Sequence, residues 1–327
     1  MTTYKEIRGT QIEAVSDDPS NPIEGQVWYN TTSNVLKGQA ATAAGSWASG
    51  GALNTGREQN TGLSVGTQTA GLLYGGDTPT PGGTVNTETY NGSNWTEVNN
   101  MNSSRRSGGG YGTQSSAMSG ASFLGNSGET NKTEVWNGTN WTEVANLNTT
   151  RSSGAGAGTS DEGILFGGNN GSNDVAVNES YNGSNWTEIN DLNTARRNLS
   201  GIGTTTSALA FSGSEPSITG KTESYNGTNW TEVNDLNTAR TRTGGAGTDS
   251  TSALAYGGAA PSATAATELW NGTNWTETTD MSSARIAGGS SGTATAALYS
   301  GGNPGKVTTT EEFTGAGAAV TRTFTDS

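Results

Sequence analysis

The chain has 327 residues, a formal net charge of −13, and neither cysteine nor histidine. Without cysteine there are no disulfides or thiolate ligands, and without histidine the commonest general base and metal ligand are missing. The negative charge disfavours nucleic acid and anionic membrane surfaces as partners, and no 18-residue apolar run suggests membrane insertion. We therefore expect a soluble, non-enzymatic chain with no catalytic residue, no cofactor and no metal.

The first 25 residues are polar and irregular, and the stretch from Asp17 to Pro22 is rich in turn-forming residues. Residues 25–30 and 34–37 follow, with β-branched and aromatic side chains on either side of three polar residues. This pattern predicts a β-hairpin. We interpret residues 1–40 as an extended docking arm followed by that hairpin, and the candidate docking side chains are Ile12, Val27, Trp28, Tyr29 and Leu36.

From residue 47 onward one motif recurs, and its first clear copy runs from Tyr90 to Glu97. Five copies have their second aromatic residue at a spacing of 44 to 46 residues, and a degenerate sixth copy lies 48 residues upstream. A period of this length predicts a repeat fold. The repeated tryptophans are Trp47, Trp95, Trp141, Trp186, Trp230 and Trp275, and each is followed ten residues later by Arg57, Arg105, Arg151, Arg196, Arg240 or Arg285.

Each repeat contains four short candidate strands, and no segment has helical periodicity, so we predict an all-β fold. An Asn-Gly pair, the strongest short-range hairpin signal, joins the third and fourth strands. We expect the large aromatic residues to pack between neighbouring repeats. In the first full repeat the predicted strands are Leu63 to Thr67, Gly71 to Tyr74, Val85 to Tyr90 and Asn94 to Val98.

The order of features in each unit resembles the kelch repeat over residues 47–314: an apolar strand, a Gly pair, an aromatic residue, a tryptophan, then Met or Leu and an arginine. Two units lack the Gly pair, and the aromatic-to-tryptophan spacing of five is shorter than is common in kelch repeats. The resemblance implies a β-propeller with four-stranded blades. Counting first strands predicts a six-bladed kelch-like β-propeller over residues 41–327. We expect the Trp47 segment to complete the last blade, and residues 319–324 to add an outer strand.

The repeated arginines could be imagined as an anion-binding ring, but an element present in every repeat usually serves the architecture. We predict that each arginine ties one blade to the next through backbone carbonyls or through a repeated glutamate. The glutamates predicted for this role follow each tryptophan by two residues and are Glu97, Glu143, Glu188, Glu232 and Glu277.

The segments between the second and third strands differ in length and composition from repeat to repeat. Loops on a rigid scaffold are common sites of recognition. We expect these variable segments at the same end of the sheets as the arginine-bearing connections, opposite the uniform Asn-Gly turns. The candidate binding residues in them are Asp77, Thr80, Glu129, Asn131, Asn169, Asp174, Glu215, Ser217 and Ser262.

Residues 25–38 are similar to a short segment near the start of tail and appendage proteins of marine bacteriophages, including cyanophages. That resemblance implies a virion structural protein. Residues 1–40 would dock onto phage tail fibre or capsid proteins, and the propeller would be displayed for host attachment, to a surface glycan or protein, or for capsid decoration. The docking platform would set any homo-oligomer.

Two alternatives stay open at this point. One is a carbohydrate-active propeller that cleaves or binds cell-envelope glycan through a variable-segment carboxylate such as Asp77, Glu129, Asp174 or Glu215. The other is a cellular kelch-like scaffold with a protein partner.

Overall fold

The computed structural model describes residues 12–19, 26–39, 45–59, 62, 64–80, 82–315 and 321–323. All regular secondary structure in these residues is β-strand, so the fold is all-β. In this described part of the chain no helix is long and apolar enough to cross a membrane. The chain forms two compact units, one containing the described residues up to 45 together with Thr321–Thr323, and the other spanning residues 46–315. The predicted docking arm falls partly on residues 1–11, 20–25 and 40, which lie outside the described residues.

The small unit is a four-stranded sheet in which the first pair of strands is parallel and the other two pairs are antiparallel. The predicted hairpin is present, with its turn at residues 31–34. The strands of the four-stranded sheet, in spatial order, are Glu13–Val15, Val27–Asn30, Val35–Gln39 and Thr321–Thr323. Of the predicted docking side chains, Trp28 is buried, Ile12 is exposed, and Val27, Tyr29 and Leu36 are half-buried.

The prediction that the C-terminal strand adds to the outside of the repeats is wrong. Thr321–Thr323 pairs antiparallel with residues 37–39 and therefore belongs to the small unit. An edge strand presents unpaired backbone groups that another strand can bind, and Val35–Gln39 provides such an edge. The sequence of the last strand does not say which of two available edges it joins.

Asp18 connects the hairpin to the segment that precedes it. Its carboxylate accepts hydrogen bonds from Trp28 Nε1 at 3.0 Å, Asn30 Nδ2 at 2.8 Å and Lys37 Nζ at 2.7 Å. These hydrogen bonds, of which the one from Lys37 has the largest effect, lower the pKa of Asp18 to about 2. The charged form of Asp18 therefore stabilises the folded small unit.

We expect the small unit to lose this stabilisation in acid. Because the pKa of Asp18 in the folded chain, about 2, is below its ordinary value of 3.8, the contribution is fully present above the ordinary value and is lost as the pH falls toward 2. In NMR spectra the Trp28 indole N–H should shift and exchange faster with solvent in this window. An Asp18→Asn variant should show no such pH dependence, and a wild-type Trp28 signal that stays unchanged would contradict the prediction.

The larger unit consists of six four-stranded antiparallel sheets within the described residues. Two short two-stranded ribbons, Arg105–Arg106 with Phe123–Leu124 and Ser214–Glu215 with Ser217–Ile218, lie in the connections. The strands are Ser64–Thr67, Ala70–Tyr74, Thr87–Tyr90 and Trp95–Val98 in sheet 1; Gly109–Thr113, Ser116–Gly120, Thr133–Trp136 and Trp141–Val144 in sheet 2; Ala155–Thr159, Glu162–Phe166, Asn178–Tyr181 and Trp186–Ile189 in sheet 3; Ser200–Gly203, Ala208–Phe211, Thr222–Tyr225 and Trp230–Val233 in sheet 4; Gly244–Asp249, Ser252–Tyr256, Thr267–Trp270 and Trp275–Glu277 in sheet 5; and Gly289–Thr293, Ala296–Ser300, Thr310–Thr314 and Ser46–Ser49 in sheet 6.

The turn between the third and fourth strands explains why Asn-Gly recurs in five repeats. In sheet 1 the Asn91 side-chain oxygen accepts hydrogen bonds from the N–H groups of Ser93 at 3.0 Å and Asn94 at 2.8 Å. Gly92 has a φ of 87°, a backbone conformation that glycine adopts without strain. The same side-chain hydrogen bonds form at Asn137, Asn182, Asn226 and Asn271. One end of the sheets therefore carries nearly identical turns.

The two chain ends of the larger unit meet in sheet 6. Ser46–Ser49 pairs antiparallel with Thr310–Thr314 and places Trp47 opposite Phe313, as predicted for the Trp47 segment. The first strands of the sheets contact one another in cyclic order, and the first strand of sheet 6 contacts that of sheet 1. They enclose a central cavity of about 110 Å³ lined by three residues from each first strand. The larger unit is β-propeller-like.

The repeated tryptophans pack between neighbouring sheets, as expected. Trp141 of sheet 2 lies with its ring centroid 4.7 Å from that of Tyr74 in sheet 1, and its Nε1 donates to Thr87 Oγ1 at 3.0 Å. Trp95 of sheet 1 donates in the same way to Thr310 of sheet 6, also at 3.0 Å. Burial of large aromatic surfaces is the main driving force available to so polar a chain.

Candidate functional site

The arginine ten residues after each tryptophan is completely or almost completely buried and forms an ion pair with a glutamate of the next sheet. The prediction of a structural role and of carbonyl partners is confirmed, but the predicted glutamates are wrong. Glu97, Glu143, Glu188, Glu232 and Glu277 are exposed. The actual pairs join each arginine to a buried glutamate on the third strand: Arg57–Glu88, Arg105–Glu134, Arg151–Glu179, Arg196–Glu223, Arg240–Glu268 and Arg285–Glu311.

Each buried carboxylate is also bound by the residue three positions before its arginine. In sheet 3, Glu179 Oε2 accepts hydrogen bonds from the Asn148 backbone N–H at 2.6 Å and from Asn148 Nδ2 at 2.9 Å. Glu179 Oε1 accepts hydrogen bonds from the Arg151 guanidinium and from the Thr149 N–H, the latter at 3.2 Å. Arg151 Nη2 also donates to the Leu165 carbonyl at 2.8 Å. A short segment of Asn-x-x-Arg thus satisfies both oxygens of a fully buried carboxylate.

Burial and pairing act on these arginines in opposite directions. Desolvation lowers the pKa of Arg57, Arg151 and Arg240, and the neighbouring carboxylate opposes that change. A guanidinium is so strongly basic that it remains charged when it is paired with a carboxylate. The repeated arginines are therefore committed to the architecture, and their side chains are not available to bind a ligand.

Two residues after each repeated arginine the backbone turns through a left-handed conformation, with φ between 47° and 58°. The N–H of this residue donates to the carbonyl of its counterpart in the preceding repeat, at 2.7 to 3.1 Å for five described pairs. We call this set of residues the turn ring: Gln59, Ser107, Ser153, Asn198, Arg242 and Ala287. Backbone hydrogen bonds link successive members of the turn ring, and one side-chain hydrogen bond is added where Ser107 Oγ donates to Gln59 Oε1 at 3.0 Å. The side chains themselves differ between most repeats.

The variable segments lie directly beside the arginine-bearing connections, as expected. The residue after each repeated arginine forms backbone bridges with the start of the variable segment in most repeats, for example Ser152 with Asn169 and Arg197 with Ser214. In the antiparallel four-stranded topology this end is opposite the Asn-Gly turns. The segments that vary in length between repeats are therefore collected at one end of the sheets.

The four carboxylates considered for glycan cleavage lie in the variable segments of four different sheets. Asp77 is buried, and Lys306 Nζ lies 2.9 Å from its Oδ2. Asp174 lies 3.5 Å from Arg197 Nη1, and Glu215 lies 3.2 Å from Lys221 Nζ. Glu129 is half-buried, and its backbone bridges with that of Phe123.

The other predicted binding residues divide into two groups. Thr80, Ser217 and Ser262 are exposed on their segments. The amides are engaged: Asn131 Nδ2 donates to the Leu147 carbonyl at 3.1 Å, and Asn169 Nδ2 donates to Asp174 Oδ1 at 2.8 Å. Of these five, Asn169 lines a pocket.

That pocket, which we call the arginine pocket, has a volume of about 220 Å³ and lies at the turn ring. Its charged and amide-bearing wall consists of Arg197, Arg242, Gln59, Asn169 and Asn198. Phe123 and the hydroxyl-bearing residues Ser107, Ser152 and Ser153 complete it. It is a polar concave site with two guanidinium groups and one aromatic side chain.

Arg197 and Arg242 were not among the predicted site residues, because they stand outside both the constant motif and the segments between the second and third strands. A signal was present at the two positions that directly follow the repeated arginine, where the residue type differs between repeats. The residues at the first of these positions are Glu58, Arg106, Ser152, Arg197, Thr241 and Ile286. The residues at the second position form the turn ring. These two positions vary in charge and size among the repeats, although Ser107 and Ser153 are identical, whereas the arginine before them never changes.

No group of three or more Asp, Glu, His or Cys residues in the described residues is placed to hold a metal ion. No protein-family model matches the sequence, and no curated protein matches it either. The fold and site define a β-propeller-like repeat protein whose length-variable segments and arginine pocket lie at the same end of the sheets.

Proposed function

We propose that the larger unit is a six-bladed, kelch-like β-propeller, in which each four-stranded sheet is one blade. The cyclic contacts of the first strands and the pairing of Ser46–Ser49 with Thr310–Thr314 support a closed ring. The hydrogen bond from Trp95 in sheet 1 to Thr310 in sheet 6 repeats the link seen between sheets 1 and 2, which supports the same closure.

We propose that this propeller is a non-enzymatic recognition module. The observation that carries the proposal is the separation of constant from varied residues. The constant Arg and third-strand Glu residues and five of the six repeated Trp residues are buried between sheets, with Trp47 half-buried, while varied residues line a concave pocket at one end. A rigid scaffold that presents different side chains at one end is suited to binding a specific partner.

Residues 25–38 resemble a segment of phage tail and appendage proteins, and we base the proposed location of the protein on this resemblance. On this proposal the chain is a bacteriophage virion structural protein. Residues 1–40 dock it to tail or capsid proteins, and the propeller attaches to a host-surface glycan or protein.

Electron cryomicroscopy of the intact phage particle tests this proposal. We expect density for the small unit against the tail or capsid and the arginine-pocket end of the propeller directed to solvent. A propeller whose pocket end is buried against the capsid lattice would contradict attachment and favour capsid decoration. If mass spectrometry of purified particles does not detect the chain, the virion proposal fails.

A further inference from the structure

The arginine pocket has a charge opposite to that of the chain as a whole. The net charge is −13, yet the pocket wall contains two guanidinium groups and no carboxylate. Arg197 shares its charge with Asp174 at 3.5 Å, and its side chain is 43% exposed. Arg242 is exposed and forms no ion pair with any residue that the structure describes. Its guanidinium therefore has donors available for an anion from solution.

The fold does not require an arginine at either position. The counterparts of Arg242 in the other repeats are Gln, Ser, Ser, Asn and Ala, and all adopt the same left-handed turn. That backbone conformation favours Gly, Asn or Asp and gives no local advantage to a long cationic side chain. The architecture neither needs nor neutralises the charge of Arg242. A ligand that binds this guanidinium explains its presence better.

The remaining wall of the pocket indicates what kind of anion fits. The side-chain amide of Asn198 can both donate and accept hydrogen bonds, as hydroxyl groups of a ligand require, and Gln59 Nε2 can donate. Asn169 is already bonded to Asp174, and Gln59 Oε1 accepts from Ser107. Phe123 adds an apolar surface. The volume of about 220 Å³ is below the range of about 300–1,000 Å³ that is usual for drug-sized ligands. A ligand with one compact ring, several hydroxyl groups and one negative charge matches this site.

We propose that the arginine pocket binds a single acidic sugar unit, with its carboxylate or sulfate group on Arg242 and Arg197. This inference rests on the proposed recognition function, because it names the chemical class of the ligand for the same end of the propeller. A phosphate-rich polymer such as nucleic acid does not fit, because its extended charge would be repelled by the rest of this acidic chain.

Ligand-observed NMR titration of the full chain, at one fixed ionic strength, tests the proposal with glucuronic acid, glucose 6-sulfate and glucose. We expect one or both acidic sugars to bind with a dissociation constant of about 1 mM, a value typical of a ligand of this size, and glucose to bind at least about tenfold more weakly. Which of the two binds more tightly identifies carboxylate or sulfate as the recognised group. Equal binding of glucose, or no binding of either acidic sugar, overturns the proposal.

Two charge-matched variants locate the site. Arg242→Gln should weaken binding of the acidic sugar by at least about tenfold, because a charge-assisted hydrogen bond is lost. Lys132→Gln removes the same charge from an exposed pair with Glu143, outside the pocket, and should leave binding unchanged. Equal effects of the two variants would show that sugar binding depends only on the net charge of the chain, and would overturn the arginine pocket as the binding site. Inorganic sulfate that binds as tightly as glucose 6-sulfate would overturn the sugar assignment.

A cell-attachment assay separates this inference from the proposed function. Attachment of the wild-type chain to host cells that Arg242→Gln does not weaken would overturn the arginine pocket as the receptor site, while attachment itself would stand. Sugar binding that depends on Arg242, combined with no attachment to host cells, would keep the pocket and overturn the attachment function.

Discussion

Replacing Glu179 with alanine is expected to lower the free energy of unfolding of the repeat region by about 3–5 kcal/mol. The carboxylate is completely buried, and its removal leaves the guanidinium of Arg151 buried without a counter-charge. It also removes the acceptor for the backbone N–H and the side-chain amide of Asn148. Chemical denaturation followed by tryptophan fluorescence measures the change.

Glu188 provides a matched control for this experiment. It lies directly opposite Glu179 on the adjacent strand of the same sheet, but its side chain is exposed. Glu188→Ala should therefore change the free energy of unfolding by no more than about 0.5 kcal/mol. If both variants were equally destabilised, the outer glutamate would share the structural role and the assignment of the buried pair would be wrong.

Trp275→Ala should destabilise the repeat region by a comparable amount, about 3–5 kcal/mol, because it opens a cavity between sheets 4 and 5. The Trp275 ring lies 5.1 Å from Phe211 of sheet 4 and 5.4 Å from Trp270 of its own sheet. Its Nε1 donates to Thr222 Oγ1 at 3.1 Å, so the variant also loses a link to the preceding sheet.

The control for this variant is Leu269→Ala in the same sheet. Leu269 is 37% exposed, so its truncation removes less buried surface and leaves no internal cavity. We expect it to cost less than about 1 kcal/mol in the same denaturation experiment. A Trp275→Ala variant that unfolds at the same denaturant concentration as Leu269→Ala would contradict a stabilising role for the inter-sheet tryptophans.

The all-β sheets and the positions of their strands could be predicted because they depend on local and periodic signals. An Asn-Gly turn needs only the Asn side chain and a glycine, and both are visible in the sequence at residues 91 and 92. The tryptophan spacing was equally visible. The Trp47 segment could be assigned to the last sheet because it carries Leu53 and Arg57 at the offsets of the other repeats.

The partner of the repeated arginine could not be chosen from period alone. Glu88 and Glu97 recur with the same period, and they face each other across two paired strands. The third strand lies between the second and fourth strands, whereas the fourth strand lies at the edge of its sheet. The Glu88 carboxylate on the third strand is buried and desolvated, whereas the Glu97 carboxylate on the fourth strand stays exposed to solvent. Burial, not spacing, decides which carboxylate must be paired.

The arginine pocket could not be predicted for a related reason. Its wall combines residues from several repeats, such as Gln59, Asn169 and Arg242, that are more than a hundred residues apart at the extremes. They come together only because the turn ring links equivalent positions of successive repeats by backbone hydrogen bonds. The variable segments were correctly expected at this end, but the side chains that line the pocket come mostly from the connections beside them.

The order of the strands has a mechanical consequence. In sequence, the repeat region is inserted between Val35–Gln39 and Thr321–Thr323, two paired strands of the small sheet, and Ser46 is itself paired with Thr314. Gln39 and Thr321, at the ends of these two strands, are direct partners in the small sheet. The repeat region is therefore held by two covalent connections, and a cut in either one leaves it attached to a strand of the small sheet.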